Sequence, residues 1–228
     1  MLKFNGKSVL SGVAIGKLYI FKKQEYTLVK KTVEDAEAEV ARFQDACEKA
    51  KEQLGKLYEK TLEEVGEEHA AIFEVHQMML EDLDYLEAIE AMIRDEKVNA
   101  EYAVSVTGDN FAETFAMMDD DYFKARSADI LDVSKRVVRV LAGIKEAGID
   151  SEEPVIIVAD DLTPSETVQM DKSKILGFVT VHGSTNSHTA ILARMMNIPA
   201  LVMTPLELTE LKSGTEAIVD GINGEIII

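Results

Sequence analysis

Cysteine is almost missing from this chain. Cys47 is the only one, so a disulfide framework is excluded. Its place among helix-forming residues, with no supporting base nearby, reads as a half-buried helix position rather than a reactive thiol. Proline is nearly as scarce, four in 228 residues, and no low-complexity stretch, collagen-like period or repeat is present, which excludes fibrous and disordered classes. Long apolar runs are lacking too. The longest, near Val155–Ala159 and Ile175–Val181, fall far below the roughly 20 residues that span a bilayer, so a soluble protein with no membrane partner is expected. Glycines and polar residues after Lys3 and Lys7 break any signal-peptide core, which makes the cytoplasm the expected compartment. Positive charge is the last shortage: 24 Lys and Arg face 42 Asp and Glu, for a formal charge of −18. That balance argues against nucleic acid or anionic lipid and for a basic partner. The deficit is local, because Glu63 to Glu90 contains ten acidic residues and no Lys or Arg.

What is present is an ordinary globular composition, 46% hydrophobic and 29% charged, long enough to bury a core. Ser8 to Phe21 is rich in β-branched and aromatic residues punctuated by glycine and predicts strands. At Thr32-Val33-Glu34-Asp35 the character changes to an acidic helix start. Apolar residues then recur at three- and four-residue steps (Val33, Ala36, Val40, Phe43, Cys47, Ala50, Leu54) in one amphipathic helix ending near Gly66. Further helices are predicted at about 67–80, 82–94, 99–117 and 121–144, together a bundle of four or five members. After Gly148 the pattern becomes strand, short helix, strand, with Val155–Ala159, Leu162–Thr167 and Ile175–Val181, and three more strands follow at Ala200–Met203, Ala217–Asp220 and Glu225–Ile228. The simplest assembly pairs residues 1–31 with 147–228 as an α/β part and leaves 32–146 as a helical insertion.

One stretch carries chemistry. Gly183 to Ser187 is a glycine-led turn between an apolar strand and the helix-forming run Thr189–Met196, a place where free backbone N–H groups and the helix dipole attract anions. Asn186 or Ser187 would cap that helix. His188 then sits in its first turn, where the dipole disfavours imidazolium, and a neutral imidazole is a competent nucleophile towards phosphorus. Arg194, about a turn and a half on, could face an incoming phosphate. On these grounds alone a structural histidine is the commoner reading. His69 and His182 carry no supporting motif, His76 lies one helical turn from Ile72 and Leu80 and reads as core or interface edge, and the four histidines lack the paired spacing of a metal site.

The run Gly183–Arg194, followed by Ile198-Pro199-Ala200, resembles the phosphohistidine signature of the phosphoenolpyruvate-using phosphotransferases. Asp161-Leu162-Thr163-Pro164-Ser165-Glu166-Thr167 and, in the helical part, Ala71 to Asp82 are similar to the enzyme I family of the bacterial sugar phosphotransferase system, in its amino-terminal domain. The resemblance covers essentially the whole chain. It implies an α/β phosphohistidine (swivelling) domain with an inserted all-α helical bundle. It further implies that His188 takes a phosphoryl group from phosphoenolpyruvate and passes it to the histidine of the phosphocarrier HPr.

By the same resemblance Thr167 hydrogen-bonds the active histidine, and Gly183, Ser184, Asn186, Ser187, Thr189 and Arg194 surround it. Glu67, Glu68, Ala71, Glu74, Met78, Asp84 and Arg126 form the HPr-facing surface, a charged rim around apolar Ala71 and Met78 that suits quick docking and release. Arg126 also has a plainer reading as an intrahelical pair with Asp129 or Asp132. The phosphoenolpyruvate and Mg2+ site belongs to a carboxyl-terminal barrel that also forms a homodimer. The present chain is thus expected to be a monomeric fragment with no metal or cofactor of its own, able to exchange phosphate with HPr. The sequence departs from the signature at Ser184, where a second glycine is usual, and at Asn186, where a threonine is usual. Two alternatives remain open at this stage. A dikinase swivelling domain shares the histidine motif but not the helices, and an acidic helical adaptor with a lapsed motif finds its support in Asn186.

Overall fold

The computed structural model describes residues 2–22, 27–144, 151–185 and 187–228, and the backbone alone of Val65, Asp121, Tyr122, Ala125 and His188. The chain forms two units, Met1–Gln24 with Ala147–Ile228, and Glu25–Glu146.

In the first unit the apolar runs become strands: β1 (Lys3–Asn5), β2 (Lys7–Leu10), β3 (Val13–Ile20), β4 (Val155–Ala159), β5 (Ile175–Thr180), β6 (Ala200–Val202), β7 (Glu216–Asp220) and β8 (Glu225–Ile227). They form one sheet in the order β1-β8-β7-β3-β4-β5-β6-β2. β3 runs parallel to β4 and antiparallel to β7, so the strand from the start of the chain lies between strands from its second half. β4 is buried along all five residues, as an apolar run at the centre of a parallel sheet must be. Leu18, Ile156, Val158, Val179, Leu201, Val219 and Ile226 share one core. Helices α6 (Pro164–Gln169) and α7 (His188–Met195) follow β4 and β5. α7 buries Ala190 and Ala193 and packs against β2, β5 and β6.

The second unit holds α1 (Ala36–Val65), α2 (Glu67–Met79), α3 (Leu83–Glu96), α4 (Ala100–Ala116) and α5 (Asp121–Leu141). Each amphipathic stripe turns inward, and Phe43, Leu54, Phe73, Leu80, Ile89 and Ile93 are fully buried. A partly buried charge cluster ties three of the helices. Arg42 of α1 makes paired hydrogen bonds of 3.0 and 2.7 Å to Glu101 near the start of α4, a 2.6 Å bond to Glu39, and a 3.3 Å bond to the Leu141 carbonyl ending α5. Glu39 also accepts the Ala100 N–H at 2.7 Å. Burial raises the carboxyl pKa of Glu39 and of Glu101. The hydrogen bonds from Arg42, with Ala100 N–H on Glu39 and Asn99 on Glu101, outweigh it and hold both below the ordinary glutamate range.

Three local expectations change. α1 is capped by Asp35, whose carboxylate accepts the Ala38 N–H at 3.0 Å, and does not start at Thr32. Thr32 instead forms an antiparallel bridge with Val98, flanked by Val33 N–H to Lys97 O (2.8 Å) and Asn99 N–H to Lys31 O (3.0 Å). Those bonds bind the 30–33 segment to the α3–α4 turn, and the helical unit accordingly takes in residues ahead of position 32. Its junctions with the other unit fall within 23–26 and 145–150, outside the described residues. The strands expected within Ser8–Phe21 are parted at Gly12, where a side chain would stand 2.9 Å from the Pro199 ring. β1 is a further strand that the amino-acid pattern did not mark. Among the described residues no helix is long and apolar enough to cross a membrane.

Candidate functional site

The site is assembled at the carboxyl ends of β4 and β5, where parallel strands hand over to loops and helices. After β4, Asp161 Oδ1 accepts the Leu162 N–H at 2.9 Å and Thr163 caps α6 in a reciprocal box: its hydroxyl accepts the Glu166 N–H at 3.3 Å, and the Glu166 carboxylate accepts the Thr163 N–H at 2.8 Å. This places Thr167 in the second turn of α6. Its hydroxyl, on a buried residue, donates back to Pro164 O (2.9 Å) or Thr163 O (3.1 Å), which leaves the oxygen lone pairs as acceptors.

After β5, the loop 181–187 is held at both ends. Val181 and His182 N–H groups donate to Ala159 and Asp160 carbonyls at 3.1 and 2.8 Å, extending the ladder past the strand. Gly183 then adopts φ 99°, in the left-handed region that glycine tolerates. At the far end Ser187, extended at φ −65° and ψ 161°, caps α7 by accepting the Ala190 N–H at 3.3 Å. Of the two expected caps it is therefore Ser187 that acts; Asn186 lies outside the described residues. His188 is the first residue of α7, so its backbone stands at the positive end of the helix dipole. Its side chain lies outside what the structure describes. Thr189 is buried and donates to Leu162 O at 3.4 Å, joining α7 to the loop before α6. From the last turn of α7 the Arg194 guanidinium reaches back to the Thr185 carbonyl. Gly183, Thr185, Ser187, Thr189, Arg194 and the backbone of His188 thus belong to one turn, with exposed Ser184 on it and Thr167 on the neighbouring helix.

The residues expected to face a partner sit on the other unit. Glu67, Ala71, Glu74 and Met78 recur at four-, three- and four-residue steps on α2. With Glu68 they occupy its outer side, while Ala70, Phe73 and His76 are buried. Asp84 stands at the start of α3. Met78, Asp84 and Arg126 line one groove of about 410 Å³ whose walls include Tyr85, Phe111 and Phe123. Arg126 makes the intrahelical pair, 3.0 Å to Asp129, in addition to reaching the groove. His76 is core: 1% exposed, with Nε2 3.4 Å from Asp129 and Nδ1 3.9 Å from Asp132. These are ion-pair separations without hydrogen-bond geometry. Burial raises the Asp129 carboxyl pKa, but His76 and Arg126 outweigh it and hold it low. Cys47, read from the sequence as half-buried, is buried, and burial pushes its thiol up to about 12.

Sequence reasoning missed two features. Asp161 lies against the Gly183 turn, and the His182 ring pairs with Asp160 at 2.9 Å. Both contacts join segments about twenty positions apart, and no local pattern announces them.

A helical bundle set into an α/β unit, with a histidine delivered by a glycine turn to a serine-capped helix, defines the class: an α/β swivelling-type domain with an all-α insertion. Residues 5–126 match the family described as PEP-utilising enzyme, N-terminal, and residues 151–224 the one described as PEP-utilising enzyme, mobile domain. The chain belongs to the phosphoenolpyruvate-utilising enzymes. It is 44% identical over 226 residues to a phosphoenolpyruvate-protein phosphotransferase of Bacillus sp. (strain S) and 42% identical over 230 residues to that of Bacillus subtilis (strain 168). Those alignments take in 98% and 100% of this chain but 39% and 40% of the relatives, so the chain spans about two fifths of their length. A solution structure of Enzyme I agrees with a TM-score of 0.82 at 39% identity, covering 98% of this chain and 92% of that one. The N-terminal domain of an enzyme named Enzyme 1 - Nitrogen agrees at 0.68 and 25% identity, with the same coverage. The resemblance read from the three motifs is borne out.

Proposed function

We propose that this chain is the phosphoryl-relay part of a phosphoenolpyruvate-protein phosphotransferase of the bacterial sugar phosphotransferase system, with His188 as the residue that carries phosphate. The supporting observation is the start of α7. Ser187 caps the helix and His188 opens it, so a phosphoryl group on the imidazole would add its negative charge where first-turn N–H groups and the helix dipole favour an anion. The transfer is an in-line displacement at phosphorus: one imidazole nitrogen forms its N–P bond as the donor's N–P bond breaks, and positioning supplies most of the rate. Thr167 orients the His188 ring, and Arg194 and Ser184 serve the phosphoryl oxygens.

The partner is HPr, recruited by the outer face of α2 with Asp84 and Arg126. An acidic rim around Met78 and Ala71 suits a basic partner that must dock and leave quickly. Phosphoenolpyruvate and Mg2+ bind, in this reading, in the part of the longer relatives that this chain does not cover, which is also where those proteins dimerise. The exchange between His188 and HPr passes through no metal. The chain by itself is then a cytoplasmic monomer that exchanges phosphate with HPr. Incubation with isotopically labelled phospho-HPr tests the proposal. Acid-labile label should appear on the chain and be absent from His188→Ala; no label on the wild type, or label persisting in the variant, overturns it.

A further inference from the structure

The sequence holds two Asn–Gly bonds, Asn5–Gly6 and Asn223–Gly224. Asparagine is a thermolabile residue, and most so before glycine, whose backbone nitrogen no side chain shields from the asparagine carboxamide. The fold brings the two bonds together. The Gly6 N–H donates to the Gly224 carbonyl at 2.9 Å, and a side chain on Gly224 would begin 3.0 Å from the Gly6 carbonyl. Gly224 also holds φ 72° in the turn from β7 to β8. Backbone conformation and the neighbouring strand thus both require glycine at 224, and that requirement leaves Asn223 open to attack.

The two bonds differ in what holds the asparagine. Asp220, the last residue of β7, spans the turn with its carboxylate. Oδ2 accepts the Asn223 side-chain N–H at 2.7 Å, and Oδ1 accepts the backbone N–H groups of Ile222 and Asn223 at 3.0 Å each. The Gly224 N–H donates to the Asp220 carbonyl at 2.9 Å. One residue therefore holds both the proton of the attacking nitrogen and the amide that would leave. The Asn223 carboxamide cannot swing over the Gly224 nitrogen without giving up a charge-assisted bond. The Asn223 side chain and N–H, with the Ile222 N–H, keep the Asp220 carboxyl below the ordinary aspartate range, so the clamp is closed at neutral and alkaline pH, where the glycine nitrogen loses its proton most readily. Asn5 has half of this protection. The Gly6 N–H is bonded, but among the described residues nothing hydrogen-bonds the exposed Asn5 side chain, which stands at the end of the three-residue strand β1.

We propose that Asn223 is a latent deamidation site, kept silent in the folded chain by the Asp220 clamp and released when the β7–β8 turn opens, and that Asn5 is the faster of the two in the native chain. In the reaction the Gly224 nitrogen gives its proton to hydroxide and bonds to Asn223 Cγ. The Cγ–Nδ2 bond breaks, and Nδ2 takes up a proton from water and leaves as ammonia. Water then opens the cyclic imide to an aspartyl or isoaspartyl residue at position 223. Either product carries a new negative charge beside Asp220, where like charges repel, so the clamp does not close again and the change runs one way.

The test is peptide mass spectrometry of the 228-residue chain incubated at mildly alkaline pH, native and in denaturant, for wild type and Asp220→Ala, with the amide-to-acid mass gain followed at positions 5 and 223. In denaturant the two positions of the wild type should convert at similar rates. In the native wild type position 223 should convert roughly tenfold or more slowly than in denaturant, the effect of one charge-assisted bond, and should lag position 5. Asp220→Ala should speed native conversion at 223 by roughly tenfold or more while leaving position 5 unchanged. Position 5 is the internal control, because general loosening of the fold would speed both. A native wild-type rate at 223 equal to the denatured one, or conversion at 223 ahead of 5, overturns the inference. So does an Asp220→Ala variant no faster than wild type, or one in which both positions accelerate alike.

Discussion

Asp161 Oδ1 lies 3.2 Å from the point where a side chain on Gly183 would start, and Gly183 holds φ 99°. Two independent reasons thus fix glycine at the head of the histidine turn. Gly183→Ala is expected to cost about 1–2 kcal/mol from the left-handed backbone alone, with the crowded carboxylate adding to it. Chemical denaturation should show the loss, and labelling by phospho-HPr should slow even though His188 itself is unaltered. Unchanged stability and labelling would mean that the turn relaxes freely.

The Arg42–Glu101 pair predicts both a magnitude and a pH dependence. Glu101→Gln should lower the unfolding free energy at neutral pH by about 1–3 kcal/mol, towards the lower figure because the Arg42 side chain is 39% exposed and water can replace its partner. Glu39 and Glu101 have folded pKa values below the unfolded value of about 4.3. Their contribution is therefore full above that value and is lost as pH falls through the lower folded values. Denaturant titrations followed by helical circular dichroism should show wild type and Glu101→Gln converging as the pH is lowered from 7 to 3. A gap that widens on acidification contradicts the pairing.

Cys47, buried and with its thiol pushed up to about 12, should resist thiol reagents at pH 8 in the native chain and react at once in denaturant. Native-state modification at the rate of a free thiol would place α1 differently.

On the outer face of α2, Met78→Ala should weaken HPr binding by about 1–3 kcal/mol through lost apolar contact. Glu74→Gln should instead slow association, with an effect that shrinks as salt rises. Stopped-flow measurements separate the two, and identical salt dependence for both variants would remove the division between apolar centre and charged rim.

Local chemistry makes much of the fold legible in the sequence. Three- and four-residue spacing locates all five bundle helices to within a few residues. Ser187 is legible as one of two candidate caps, and residues 162–167 as a turn and helix start, because such signals span a few consecutive positions. The failures all involve distant partners. Thr32 reads as a helix start until Val98, 66 positions later, claims it as a bridge. Lys3–Asn5 has no period of its own, and it is a strand only because Glu225–Ile227 lies beside it. At the site, the histidine and its cap are visible, but Asp160 and Asp161 gain meaning only from a loop some twenty residues on, which no single stretch of sequence can express.

The position of β3 between β4 and β7 has a consequence for biosynthesis. Ala14 and Ile15 take their antiparallel neighbours from Val219 and Ile218, so β3 waits about two hundred residues for that partner. All five bundle helices, α1 to α5, are complete in sequence before β4 is made. Translation thus presents the bundle first and completes the sheet last, when β7 and then β8 arrive.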